Sequence, residues 1–125
     1  MGLDMYAYKT KQKFENDVDF DVNTDEIEEL AYWRKHPDLH GWMEKLYYNK
    51  GGQHESFNCT TVKLTEEDLN KLETDIKEDI LPETRGFFFG QSSKDEDEVN
   101  LDLQFVKDAK QALNEGYDIY YTSWW

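Results

Sequence analysis

Strand-like alternation and helix-like periodicity occur in the same 125-residue chain, and their order limits the fold more than any single motif does. Leu3, Met5 and Ala7 alternate with Asp4, Tyr6 and Tyr8, which predicts a strand over Leu3–Tyr8. Thr60, Val62 and Leu64 alternate with Cys59, Thr61 and Lys63, predicting a second over Thr60–Leu64. Tyr117–Trp124, rich in Tyr, Ile and Trp, predicts a third. Between them lie helical patterns. Asn23 with Glu26 reads as a capping pair ahead of Ile27, Leu30, Ala31 and Arg34, predicting a helix over Asp25–Lys35. Pro37 separates it from Leu39, Trp42, Met43, Leu46 and Tyr47, a helix over Asp38–Tyr48 stopped by Gly51-Gly52. Thr65 with Asp68 caps a helix over Glu66–Ile80, carrying Leu69, Leu72 and Ile76 and ended by Pro82. Phe105, Val106, Ala109, Ala112 and Leu113 define a last helix over Asn100–Glu115, ended by Gly116. The glycine-bracketed Gly86-Phe87-Phe88-Phe89-Gly90 fits a buried strand or a tight aromatic loop. Mixed order without strict alternation predicts an α+β fold. It is a single compact domain over residues 1–125, with a small, mainly antiparallel sheet packed against about four helices.

Charge narrows the partners. Fourteen Lys and Arg against 28 Asp and Glu give a net charge of −14. Such a surface repels bulk nucleic acid and anionic membranes, so direct binding to either is not expected. No apolar run reaches membrane-spanning length. The single cysteine, Cys59, and the absence of a basic or apolar leader fit a cytoplasmic protein.

Against this background Ala31–Trp42 stands out, reading Ala-Tyr-Trp-Arg-Lys-His-Pro-Asp-Leu-His-Gly-Trp. Over Ala31–Lys50, Arg34, Lys35, Lys45 and Lys50 face only Asp38 and Glu44, a local charge of +2. Cations among flat rings suit an anionic, aromatic ligand, because guanidinium forks onto phosphate or carboxylate and rings stack on bases. The candidate ligand-binding residues are Trp33, Arg34, Lys35, His40, Trp42 and Tyr121. The competing reading is an ordinary solvated helix face for the charges and a core for the rings. A buried cation here needs a partner, either an acid of this chain such as Asp4 or an anionic ligand.

Other chemistries find less support. Asp17, Asp19, Asp21 and Glu28 have calcium-loop spacing, but Val22 stands where the sharp turn needs glycine. His36 and His40 have the spacing of helical zinc ligands, but Pro37 interrupts them. No metal and no cofactor is expected. Cys59 and Ser123 are the nucleophile candidates, and neither has a local partner, so no catalytic residue is assigned.

The start Met1-Gly2-Leu3-Asp4-Met5-Tyr6, then Tyr32-Trp33-Arg34-Lys35, His40 and Trp42, form an ordered set of motifs. Leu81-Pro82, Gly86-Phe87-Phe88-Phe89-Gly90 and Tyr120-Tyr121-Thr122-Ser123-Trp124 continue it to the far end. In this order the chain resembles a family of small bacteriophage and bacterial proteins, departing slightly where Thr122-Ser123-Trp124-Trp125 replaces a usual Ser-Ser-Trp ending. The resemblance implies a context, a phage-type accessory protein in a host bacterial cytoplasm. The expected function is non-enzymatic capture of a nucleotide-like anionic small molecule or of a host protein, counter-defence being one such role. Two alternatives stand beside it. One is a small hydrolase or transferase acting on a phosphorylated substrate, with His40 as acid or base and Arg34 as clamp. The other is a nucleic-acid mimic that blocks a basic host protein, using the eight acids from Glu15 to Glu29 and the Asp95–Glu98 run.

Overall fold

The computed structural model describes residues 2–125. One antiparallel sheet holds β1 (Asp4–Thr10), β2 (Ile27–Arg34), β3 (Val62–Leu64) and β4 (Asp118–Trp124) in the order β2-β1-β4-β3. Helices α1 (Pro37–Asn49), α2 (Glu66–Lys77) and α3 (Glu96–Asn114) complete an α+β fold. Among the described residues there are three α-helices rather than about four. The expected helix over Asp25–Lys35 is instead a 3-10 turn, Thr24–Glu26, followed by β2.

The reason is a β-bulge. The register of β1 against β2 runs Ala7↔Ala31 and then Tyr8↔Glu29, so Leu30 is an extra residue without a cross-strand partner. One inserted residue breaks a period of two. It leaves Ile27, Leu30 and Ala31 at the i, i+3, i+4 spacing of a helix face. Past the bulge the alternation is clean: Ala31 and Trp33 are buried, and Tyr32 and Arg34 are exposed. Asn23 does cap, but it caps the 3-10 turn, its side chain accepting from the Asp25 N–H.

The other boundaries follow local chemistry. Thr65 and Asp68 form the reciprocal capping box expected at the start of α2. That helix ends at Lys77, ahead of Pro82, because Asp79 takes a left-handed φ of 55°. The N–H groups of Asp79 and Ile80 then return to the carbonyls of Ile76 and Asp75, a Schellman closure. Gly116, φ 91°, closes α3 in the same way onto Leu113 and Ala112.

Leu3, Met5, Ala7, Trp33, Val62, Leu64, Ile119 and Tyr121 form the inner sheet face, packed with Leu39, Met43, Leu69, Leu72, Phe105, Val106 and Ala109 of the helices. The outer face carries Tyr6, Tyr8, Tyr32 and Tyr120. Phe14 and Phe20, stacked at 3.8 Å, close edge-on over Tyr120. Among the described residues no helix is long and apolar enough to cross a membrane.

The loop before the Gly86–Gly90 turn is pressed onto α1 at Gly41. Thr84 donates its N–H to Asp38 Oδ1 at 3.1 Å and its hydroxyl to the Pro82 carbonyl at 2.8 Å. A Cβ on Gly41 would lie 1.8 Å from Thr84 Oγ1. Helix propensity alone favours Gly41→Ala by about 1 kcal/mol. Overpacking opposes it by about 1–3 kcal/mol. Gly41→Ala is therefore expected to lower the urea midpoint, and adding Thr84→Gly to recover it.

Candidate functional site

The structure splits the cation–aromatic segment into a buried half and a surface half. Trp33 points into the core and donates its indole N–H to Asp102 Oδ1 at 2.9 Å. Trp42 donates likewise to Asp75 Oδ2 on α2, at 2.9 Å. His40, on α1, packs among the rings of Phe57, Phe89 and Tyr121 and is 1% exposed. Arg34 and Lys35 are exposed. The segment sits at a strand–helix junction rather than between two helices. The alternation of β2 turns Trp33 inward and Arg34 outward, so His40 and Arg34 do not share a pocket.

Asp4, named from the sequence as a partner for the cations, fills that role. Arg34 Nη1 is 2.9 Å from Asp4 Oδ1, and the Tyr32 hydroxyl donates to the same oxygen at 2.6 Å. These contacts, the Tyr32 hydrogen bond foremost and then the guanidinium charge, hold the Asp4 carboxyl below its ordinary range despite partial burial. Both members of the ion pair keep solvent contact.

The other candidates are placed as follows. His36 is the residue before α1 and its ring turns toward Ser92 and Asp102, away from His40. Asp19 accepts from the Tyr47 hydroxyl, and Glu28 pairs with Lys9 across the strands. Among the described residues no three His, Cys, Asp or Glu groups converge as a metal cage. Cys59 is exposed and Ser123 is buried. In the acidic run, Asp95 caps α3 through the Glu98 N–H, and Glu98 accepts from the N–H groups of Ser93 and Lys94. That run therefore has a local task at a helix start.

What gathers around Arg34 and Lys35 comes from far along the chain. The Lys35 N–H donates to the Leu3 carbonyl at 2.8 Å, and the Leu3 N–H to the Phe88 carbonyl at 3.3 Å. Lys35 and Phe88 both hold left-handed φ values, 56° and 70°. A Cβ on Gly2 would lie 2.7 Å from Arg34 Nη2, and one on Gly90 3.0 Å from the Lys35 stem, so both glycines permit close approach. Phe87 is 77% and Phe88 43% exposed, stacked edge-on at 4.3 Å. Trp124 is 71% exposed. Trp125 is pinned by Asn58, which accepts from its N–H at 3.0 Å and donates to its carbonyl at 2.8 Å. Its ring meets Phe89 edge-on at 4.9 Å. Gly2, Asp4, Trp124 and Trp125 line a cleft of about 360 Å³.

Sequence reasoning included neither Phe87, Phe88, Trp124 nor Trp125 among the ligand-binding residues. The signal was present in the glycine brackets around three phenylalanines.

His40 supplies chemistry of a different kind. Its Nδ1 lies 2.7 Å from the Tyr121 hydroxyl, and its Nε2 has no hydrogen-bond partner among the described residues. Burial pulls the imidazole pKa from 6.5 down to about 4 and pushes the fully buried Tyr121 phenol well above 10. Both groups are neutral in the folded protein near neutral pH. The unfolded chain takes up the His40 proton first as pH falls, so this contribution to stability is complete above pH 6.5 and is lost on the way to pH 4. The expected loss is about 3 kcal/mol at ~1.4 kcal/mol per pH unit. Urea midpoints measured across that range should fall more steeply for the native chain than for His40→Phe.

No family model, no curated protein and no solved structure matches this chain.

Proposed function

We propose that this chain is a binding protein that captures an anionic, aromatic small molecule of nucleotide type at the end of its sheet. The observation that carries this reading is the placement of exposed Arg34 and Lys35 against Gly2, and of Arg34 against Asp4, two residues lining a cleft walled by Trp124 and Trp125, on a body of net charge −14. Its volume, about 360 Å³, lies within the usual range for small-molecule sites. An indole offers a stacking face to a base, and Arg34 offers a charge that persists at every relevant pH. The roles first considered for Trp33, Trp42, His40 and Tyr121 shift accordingly: they are the packed support, and Arg34 and Lys35 the contact groups.

A second reading has its own observation. Phe87 and Phe88 stand out beside the cleft, and exposed rings rimmed by charge are typical anchors of protein interfaces. In that case the captured molecule is a host protein. The setting implied by the motif resemblance, a host bacterial cytoplasm, suits either capture, including capture that blunts a defence.

Mass spectrometry of small molecules released by heating protein purified from bacterial lysate tests the first reading. A nucleotide-like compound is expected, absent from Trp124→Ala and from Arg34→Ala/Lys35→Ala. Because the substituted side chains are exposed, melting temperatures should stay close to the native value. Recovery of the same compound from all three proteins would refute the assignment. A protein partner lost only in Phe87→Ser/Phe88→Ser would select the second reading.

A further inference from the structure

We infer that Ser92, His36 and Asp102 form a hydrolytic centre, separate from the capture surface, which cleaves small neutral esters. Three elements bring these residues together. His36 precedes α1, Asp102 lies on α3, and Ser92 follows the Gly86–Gly90 turn. Ser92 Oγ is 2.7 Å from His36 Nδ1, and His36 Nε2 is 2.8 Å from Asp102 Oδ2. The other carboxylate oxygen, Oδ1, accepts the Trp33 indole N–H at 2.9 Å.

With His36 as the neutral imidazole, the hydrogen bonds leave one placement of protons. Indole can only donate, so Asp102 accepts from Trp33. As a carboxylate it also accepts the Nε2–H of His36. Nδ1 is then a lone pair, and the Ser92 hydroxyl donates to it. Ser92 Oγ in turn accepts the backbone N–H of Asp38 at 3.1 Å. The serine proton therefore already points at a base, and that base is oriented by a buried carboxylate, the arrangement of an activated nucleophile. Glu98 Oε1, 3.5 Å from Nδ1, adds negative charge beside the imidazolium that forms when the proton moves. The two ring nitrogens exchange the places they hold in the best-known serine enzymes, which leaves the proton chemistry unchanged.

The other requirement is access. Ser92 is 8% exposed and lies on the wall of a cleft of about 400 Å³, where Arg85 pairs with Glu83 at 3.0 Å and Lys94 with Asp38 at 3.9 Å. With its two cations paired to its two acids, the lining carries no net charge, and the cleft suits a small neutral ester. The positive end of α1 reaches Ser92 through the Asp38 N–H and favours negative charge developing there.

The reaction balances with water as the only co-reactant. Ser92 Oγ bonds to the ester carbonyl carbon as its proton passes to His36 Nδ1. The C–O bond to the leaving alcohol breaks, and the alcohol departs with that proton. Water then gives a proton to His36 and attacks the acyl-serine. The acid leaves and Ser92 recovers its hydrogen. Asp102 touches no substrate; it positions His36.

The same contacts would also suit a purely architectural group that caps α1 from a distant loop, and reactivity distinguishes the two roles. A fluorophosphonate probe should label Ser92 in the folded protein, located by tandem mass spectrometry, and should leave the urea-unfolded chain unlabelled. p-Nitrophenyl acetate, a small neutral ester, should be hydrolysed. Ser92→Cys keeps a side chain able to cap α1 and should fold while losing the fluorophosphonate adduct. Asp102→Asn should lower turnover by as much as ~10⁴-fold. A folded native protein that gives no adduct at Ser92, or that hydrolyses the acetate ester no faster than folded Ser92→Ala, overturns the proposal. Labelling of any other serine in place of Ser92 overturns it equally.

Discussion

The carboxylate of Asp102 is the contact on which the arrangement of elements turns. One side chain on α3, 2% exposed, accepts from Trp33 on β2 and from His36 at the start of α1. It thereby fixes where the edge strand stops, where the chain bends and how α1 enters the core. His36 passes the constraint on to Ser92 and so to the segment that follows the aromatic turn. Removing one partner from such a buried charged group typically costs about 3–5 kcal/mol. A contact of that size outweighs the exposed ion pairs on this surface, which typically contribute about 0–1 kcal/mol each.

Trp33 and Arg34 show how much of the candidate site was legible in sequence. The segment was recognisable because its charge departs from an acidic background, and its aromatic content marked it as structurally committed. Which ring faces the core and which cation faces solvent was not legible, because that depends on reading β2 as a strand. Leu30, inserted at the bulge, disguised the period of two as a helical one. The strands β1, β3 and β4 carried undisturbed alternation or strong β-forming composition, and they appear close to where these patterns placed them. Helices α1, α2 and α3 were readable too, from Pro37, the Thr65–Asp68 capping box and Gly116, although α3 begins at Glu96 rather than at the expected Asn100. The end of α2 was not, because Asp79 takes a conformation more often left to glycine.

The Ser92–His36–Asp102 relay had no sequence signature at all. Its members lie 56 and 66 positions apart, and no local motif joins them. Pro37, which argued against a zinc pair of His36 and His40, proves to be the first residue of α1, and it leaves His36 outside the helix and free to turn toward α3. The acidic run Asp95–Glu98 was visible as charge but not as a helix cap, because capping is a matter of backbone geometry. Composition reports how much charge a chain holds; only the fold reports what each charge is doing.

The turn Gly86–Gly90 borders both clefts. Its glycines edge the cleft that holds Ser92, while Phe88 is tied to Leu3 and Phe89 rests on Trp125 behind the other. Phe88 keeps its left-handed backbone only while those neighbours hold it. A molecule that shifts the turn on entering one cleft also reshapes the wall of the other. Thermodynamic linkage then requires reciprocity: by whatever factor an occupant at Trp124 alters affinity beside Ser92, an occupant beside Ser92 must alter affinity at Trp124.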